Sequence, residues 1–90
     1  MESKFNLAST EIKKLTEDPF NNDQKLKIYS LYKQATVGPC NIAKPGMFNP
    51  TGRAKWTAWN DQGDKAKEAA MAEYVEFVKK YLPEGVASQL

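Results

Sequence analysis

Ninety residues allow one small domain, spanning 1–90, with a modest core. Hydrophobic residues make up 41% and charged residues 27%, the balance of a globular chain and not of a disordered one. A net charge of +2 lacks the basic excess of a general nucleic-acid binder, so no nucleic-acid partner is expected. The single cysteine, Cys40, excludes an intrachain disulfide and fits a reducing compartment. Histidine is absent, which removes the commonest general base and the commonest metal ligand. No cysteine pair or spaced acidic cluster replaces it, so the expectation is no metal and no enzymatic activity. Met1–Ser9 carries Glu2 and Lys4, unlike a signal peptide. Glu76 interrupts the best apolar run, Tyr74–Val78, so no transmembrane helix is expected.

Four helical patterns follow, with no strand alternation and no internal repeat. The first, residues 3–15, carries Phe5, Ala8, Ile12 and Leu15 three or four apart, with Lys13 at the edge of the stripe. Asp18-Pro19 ends it, because the residue before proline avoids helical geometry. The Phe20–Asp23 connector offers Asn or Asp caps to the next helix. That second helix, residues 23–37, has an unusually wide apolar arc. Ile28, Leu31, Tyr32 and Ala35 cover one side, and Leu26, Tyr29 and Thr36 the adjoining one; Lys27, Ser30 and Gln34 are expected to face away. An arc so wide requires two partners. Gly38-Pro39 stops the helix. The loop from Pro39 to Pro50 holds three prolines, and Met47-Phe48 is expected to dock it on the helices. The third helix, 51–62, starts on Thr51 as cap and places Trp56 and Trp59 on one face. The fourth, 65–82, has Asp64 as expected cap and an apolar arc from Ala70 to Leu82 that includes Tyr74. Residues 83–90 are expected to fray.

Lys33 sits among Leu26, Tyr29 and Thr36 on one helical face, since each residue turns about 100°. A charge in apolar surroundings asks for a counter-charge, or bends its stem out to water. Lys13 and Lys55 likewise border apolar or aromatic faces on other helices, and Tyr29, Tyr32 and Tyr74 offer ring faces and hydroxyls. If these faces converge, they describe a site for an amphiphile with an anionic head. Periodicity does not establish convergence, and a helical module binding a peptide in an aromatic groove remains the alternative.

The blocks Tyr-Ser-Leu-Tyr-Lys-Gln-Ala-Thr-Val-Gly-Pro (29–39), Lys-Pro-Gly-Met-Phe (44–48), Arg-Ala-Lys-Trp-Thr-Ala-Trp-Asn (53–60) and Lys-Glu-Ala-Ala-Met-Ala-Glu-Tyr-Val (67–75) resemble the acyl-CoA-binding protein family. The resemblance covers about Phe5 to Leu82. It implies a four-helix, up-down-down-up bundle that carries and buffers medium- to long-chain fatty acyl-CoA esters in the cytoplasm, as a monomer without cofactor or catalysis. By that resemblance Tyr29, Tyr32 and Lys33 contact the CoA head group, with Lys33 and Lys55 near its ribose 3′-phosphate. Lys13 and Tyr74 complete the polar part. Phe5, Ala8 and Leu26 border the acyl chain or head group, with Ser30 and Leu31 as further neighbours. Transient contact with a membrane or an acyl-CoA-using enzyme is left open. The chain departs from the family pattern at Lys44, where arginine is usual, at Thr51, where lysine is common, in the turn Gln62-Gly63-Asp64, and at Ala66, where serine often caps the last helix.

Overall fold

The stripe Phe5–Ala8 buries α1 (Glu2–Ile12) against α4 (Lys67–Lys79), in a computed structural model that describes residues 2–15 and 18–90. Between them in sequence lie α2 (Asn22–Thr36) and α3 (Pro50–Asn60), and a short α5 (Glu84–Ala87) follows. No strand occurs among the described residues. The helix signals in the sequence are used with small shifts. α1 ends at Ile12, and Lys13 and Leu15 lie in the tightened turn beyond it. A reciprocal capping box starts α2: the Asn21 side chain accepts from the Gln24 N–H, and the Gln24 side chain accepts from the Asn21 N–H.

Two expected caps are corrected. Asn49, not Thr51, caps α3, because Pro50 takes the first helical position and the Asn49 side chain reaches the Gly52 N–H at 3.0 Å. Asp64 lies in the turn before α4, whose cap position is Ala66, without a side-chain hydrogen bond. The serine-to-alanine departure at that position is therefore not compensated.

Side-chain pairs give the helix directions. Leu26 shares a cleft with Ala54, Tyr29 meets Lys55, and Lys33 meets Trp59, so α2 and α3 run parallel. Glu2 and Asn6 share a cleft with Lys67 and Glu68, while Phe5 packs edge-on against Tyr74, so α1 and α4 run parallel as well. Gln24 donates to the Tyr81 hydroxyl, and Ala35 lies by Met71, so α2 opposes α4. The result is the up-down-down-up bundle. Its parallel α2–α3 pair requires a long return. The connector 37–49 provides it, since such a segment reaches roughly 40 Å extended, against about 22 Å for the fifteen residues of α2.

The wide apolar arc of α2 finds its two partners in α3 and α4. Gly38 ends α2 with φ 103°, a conformation that side chains resist, and the buried Trp59 indole donates to its carbonyl at 2.8 Å. Three expectations about burial fail. Ser30 and Gln34 do not face water; both are buried where the α3–α4 turn covers α2. Met47 and Phe48 do not dock the loop; they are 74% and 96% exposed. The loop is tied down instead by polar contacts. The Trp56 indole donates to the Ile42 carbonyl and Arg53 to that of Pro45. The tail does not fray either: Val86 and Leu90, on and just after α5, pack against the core.

Gln34 donates from Nε2 to the carbonyls of Gly63 (3.1 Å) and Lys65 (2.8 Å), tying the α3–α4 turn to α2. Gln34→Ala leaves both carbonyls without this donor. It is expected to cost about 1–3 kcal/mol, read as a lowered urea midpoint with an unchanged slope; an unchanged midpoint would show that the tie contributes nothing.

Candidate functional site

A cleft of about 590 Å³ opens where the end of α1, the following connector and α2 meet over α4. Ile12, Lys13 and Leu15 come from the end of α1. Asp18, Pro19 and Phe20 form the connector wall, Lys25, Ile28, Tyr29 and Tyr32 the α2 wall, and Tyr74 comes from α4. The lining is mostly apolar, with its few polar groups at defined places, as in small-molecule sites generally. The end of α1 one turn earlier than expected puts Lys13 on this rim, with Nζ 5.9 Å from the centre of the Tyr32 ring. The connector is held to α2 by Lys25, whose ammonium lies 2.6 Å from Asp18. That hydrogen bond, with a second from the Phe20 N–H, holds the Asp18 carboxyl below its usual range.

A second cleft, about 390 Å³, separates the starts of α2 and α3 and is lined by Asn22, Lys25, Leu26, Pro50, Thr51, Ala54 and Lys55. Lys25 borders both clefts, and Lys55 reaches across to Tyr29, its Nζ 5.4 Å from that ring centre. Tyr29 thus stands between a cation and the larger cleft. Lys33, about one helical turn further along α2, lies 5.6 Å from the Trp59 ring. Each of the three lysines singled out by pattern therefore rests beside an aromatic ring, and none is ion-paired among the described residues. Cations held at such faces keep their charge available to an anion.

The structure brings Lys13, Tyr29, Tyr32 and Tyr74 into one cleft, and Lys55 and Leu26 into the adjoining one. Lys33 lines neither and points along α2 towards α3. Four expected neighbours are buried and line neither of these clefts. Phe5 and Ala8 are core residues: Phe5 stacks on Tyr32 with centroids 5.7 Å apart and meets Tyr74 edge-on at 5.0 Å, holding both tyrosines from behind. Ser30 donates to the Lys27 carbonyl and accepts from Gln62, and Leu31 is wholly enclosed, so neither offers surface to a ligand. Conversely, Ile12, Leu15, Phe20, Lys25 and Ile28 line the main cleft without having been singled out. Leu15 and Phe20 carry a legible signal, since apolar side chains flanking a proline-bearing connector need cover. The Asp18–Lys25 bond carries none, because it joins two elements whose approach depends on the fold.

The buried Tyr74 ring lies 6.3 Å from that of Tyr32. Burial, and secondly Tyr32, pushes the Tyr74 hydroxyl up to about 12. Tyr74 is therefore a neutral hydroxyl at any ordinary pH, able to donate to an anionic group. A phenol raised from 10.0 to about 12 favours the folded state fully below pH 10. That contribution is lost as pH rises through 12. Chemical unfolding across this window is expected to show a steeper fall for the parent than for Tyr74→Phe; equal slopes would contradict it.

The fold and clefts define an all-α bundle with an apolar trough rimmed by cations and tyrosines. The chain belongs to the acyl-CoA-binding protein family, whose model, described as acyl CoA binding protein, matches residues 2–78. It is 48% identical to an acyl-CoA-binding protein homolog of Drosophila melanogaster, over 83% of this chain and 86% of that one. It is 56% identical to acyl-CoA-binding domain-containing protein 5 of Xenopus laevis over 69% of this chain, which is 13% of that protein. Several other curated relatives are also long, and the chain spans 12–20% of their length. The crystal structure of acyl-CoA-binding protein 2 of Oryza sativa superposes with a TM-score of 0.82 at 44% identity, covering 88% of this chain and 85% of that one. No helix among the described residues is long and apolar enough to cross a membrane, and no group of residues there could hold a metal ion.

Proposed function

We propose that this domain binds medium- to long-chain fatty acyl-CoA esters and acts as a cytoplasmic carrier and buffer for them, without catalysing a reaction. The observation that carries the reading is the larger cleft: one apolar trough with Lys13, Tyr29, Tyr32 and Tyr74 on it and Lys55 held against Tyr29. The acyl chain lies along Ile12, Leu15, Phe20 and Ile28, where it exchanges water for apolar side chains. The head group lies on the α2 wall. Its 3′-phosphate, with about −1.5 to −2 charges at neutral pH, faces Lys33 and Lys55, and a tyrosine ring stacks with adenine. Lys13 and the neutral Tyr74 hydroxyl hold the polar atoms between head and chain.

The ligand is released as it was bound. The domain contains no histidine, and the one carboxylate on the cleft wall, Asp18, is bonded to Lys25 and held below its usual range, which makes it a weak base towards the thioester. The lone cysteine agrees with a reducing, cytoplasmic setting. Family membership and the relatives' names favour this reading over a peptide in the aromatic groove, which no comparison supports.

Titration calorimetry with palmitoyl-CoA, palmitate and free CoA tests the proposal. Palmitoyl-CoA is expected to bind one molecule per chain, more tightly than either part alone. Equal affinity for palmitoyl-CoA and palmitate would sink it.

A further inference from the structure

The modest net charge conceals a strong asymmetry. From Gln24 to Asn60 there are six basic residues and no acidic one, a net +6. The rest of the chain has seven basic and eleven acidic residues, a net −4. The basic stretch is α2, the long connector and α3; α2 and α3 pack on each other, and Lys27 alone of the six lies against α4, 4.8 Å from the Phe77 ring. Only Lys25 of the six is ion-paired among the described residues.

The same stretch holds all the large exposed apolar side chains among the described residues: Val37, Ile42, Met47 and Phe48. Met47 and Phe48 sit at the tip of the connector, in a turn closed by the Asn49 N–H on the Gly46 carbonyl. The base of the tip is braced by the Trp56 and Arg53 hydrogen bonds to Ile42 and Pro45, and Lys44 lies 5.7 Å from the Trp56 ring. An almost fully exposed phenylalanine beside an exposed methionine is costly in water. Held on a fixed base with lysine and arginine around it, the pair suits an interface that is apolar inside and anionic at its surface.

We propose that the tip at Met47-Phe48 inserts into the headgroup region of an anionic lipid bilayer, with the basic α2–α3 side facing the membrane. A protein partner fits less well. A stable protein interface buries about 800 Å² on each side, whereas this is a convex tip of two neighbouring side chains without a groove. Lipid needs only shallow burial of such side chains plus electrostatic attraction. Each Lys or Arg near an anionic surface contributes about 1 kcal/mol, or roughly fivefold in partitioning, and the attraction weakens with salt. This inference does not depend on which ligand fills the clefts.

Flotation with phosphatidylcholine vesicles, with and without phosphatidylserine, tests it. The parent protein is expected to float with the anionic vesicles at low salt and to be released by high salt. Met47→Ser/Phe48→Ser is expected to lower partitioning on the order of tenfold or more, and Lys44→Glu at least about fivefold. Both variants should keep the parent affinity for palmitoyl-CoA in solution. Equal flotation with neutral vesicles, or a double variant that partitions like the parent, would overturn the proposal. Failure to float at all would also overturn it and leave the tip as a protein-docking site. Loss of palmitoyl-CoA affinity in the double variant would assign the tip to the ligand site instead.

Discussion

Palmitoyl-CoA is expected to bind on the order of ten-thousandfold more tightly than octanoyl-CoA. Each methylene moved from water to an apolar surface contributes about 0.8 kcal/mol, close to fourfold in Kd. The two chains differ by eight methylenes, or roughly 6 kcal/mol if all are covered. The cleft wall of Ile12, Leu15, Pro19, Phe20 and Ile28 provides the apolar surface, within a volume of about 590 Å³. The dependence should therefore be a steady gain per methylene that levels off once the chain outgrows the trough. Burial also predicts a heat-capacity change that grows more negative with chain length. Calorimetry on a chain-length series at several temperatures measures both. A flat series would remove the acyl chain from this cleft while leaving the head-group assignment standing.

Removing Lys33 or Lys55 is expected to weaken palmitoyl-CoA binding by about 10- to 100-fold each. Hydrogen bonds to a charged group contribute about 1.5–3 kcal/mol, and each lysine rests on an aromatic face without an ion-pair partner among the described residues. Neither ammonium fills core space, so Lys33→Ala and Lys55→Ala should unfold near the parent. The sharper test uses an ester that lacks the 3′-phosphate. If the lysines act on that phosphate, the parent loses affinity for the dephosphorylated ester while the variants lose little more, which is the coupling that a double-mutant cycle measures. Full additivity would show that the lysines and the phosphate do not meet. Affinity for the complete ester that is unchanged in both variants would remove the assignment outright.

The departures from the family pattern bear on these tests in different degrees. Thr51 lines the smaller cleft with Lys55. Thr51→Lys would add a cation beside Lys55, where the head-group phosphate is proposed to lie. Lys44 lies against Trp56 on the loop, away from both clefts. Its exchange for arginine belongs to the surface presented by the connector and not to the trough.

Local pattern was enough for the helices, because helical periodicity and stop signals such as Asp18-Pro19 and Gly38-Pro39 act within a few residues. It was also enough to mark Lys13, Lys33 and Lys55 as cations on apolar borders, and Tyr29, Tyr32 and Tyr74 as their companions. The motif blocks then tied those residues to a family. What pattern could not decide was which side of each residue would be covered. Ser30 and Gln34 read as outward-facing, yet the α3–α4 turn folds over them and uses their hydrogen bonds. Phe5 and Leu31 sit on the right stripes but behind the tyrosines, in the core. Met47 and Phe48 read as anchors, whereas indole and guanidinium groups anchor the loop and leave both side chains in water.

Periodicity is a property of neighbours in sequence, so the sequence alone determined the four helices, their apolar arcs and the inventory of cations and tyrosines. Cover is a property of elements far apart in the chain. Only the tertiary structure decided that the end of α1, the connector, α2 and α4 would enclose one trough, that parallel α2 and α3 would bring Lys55 to Tyr29, and that the acid-free stretch from Gln24 to Asn60 would leave its apolar tip, Met47-Phe48, in water.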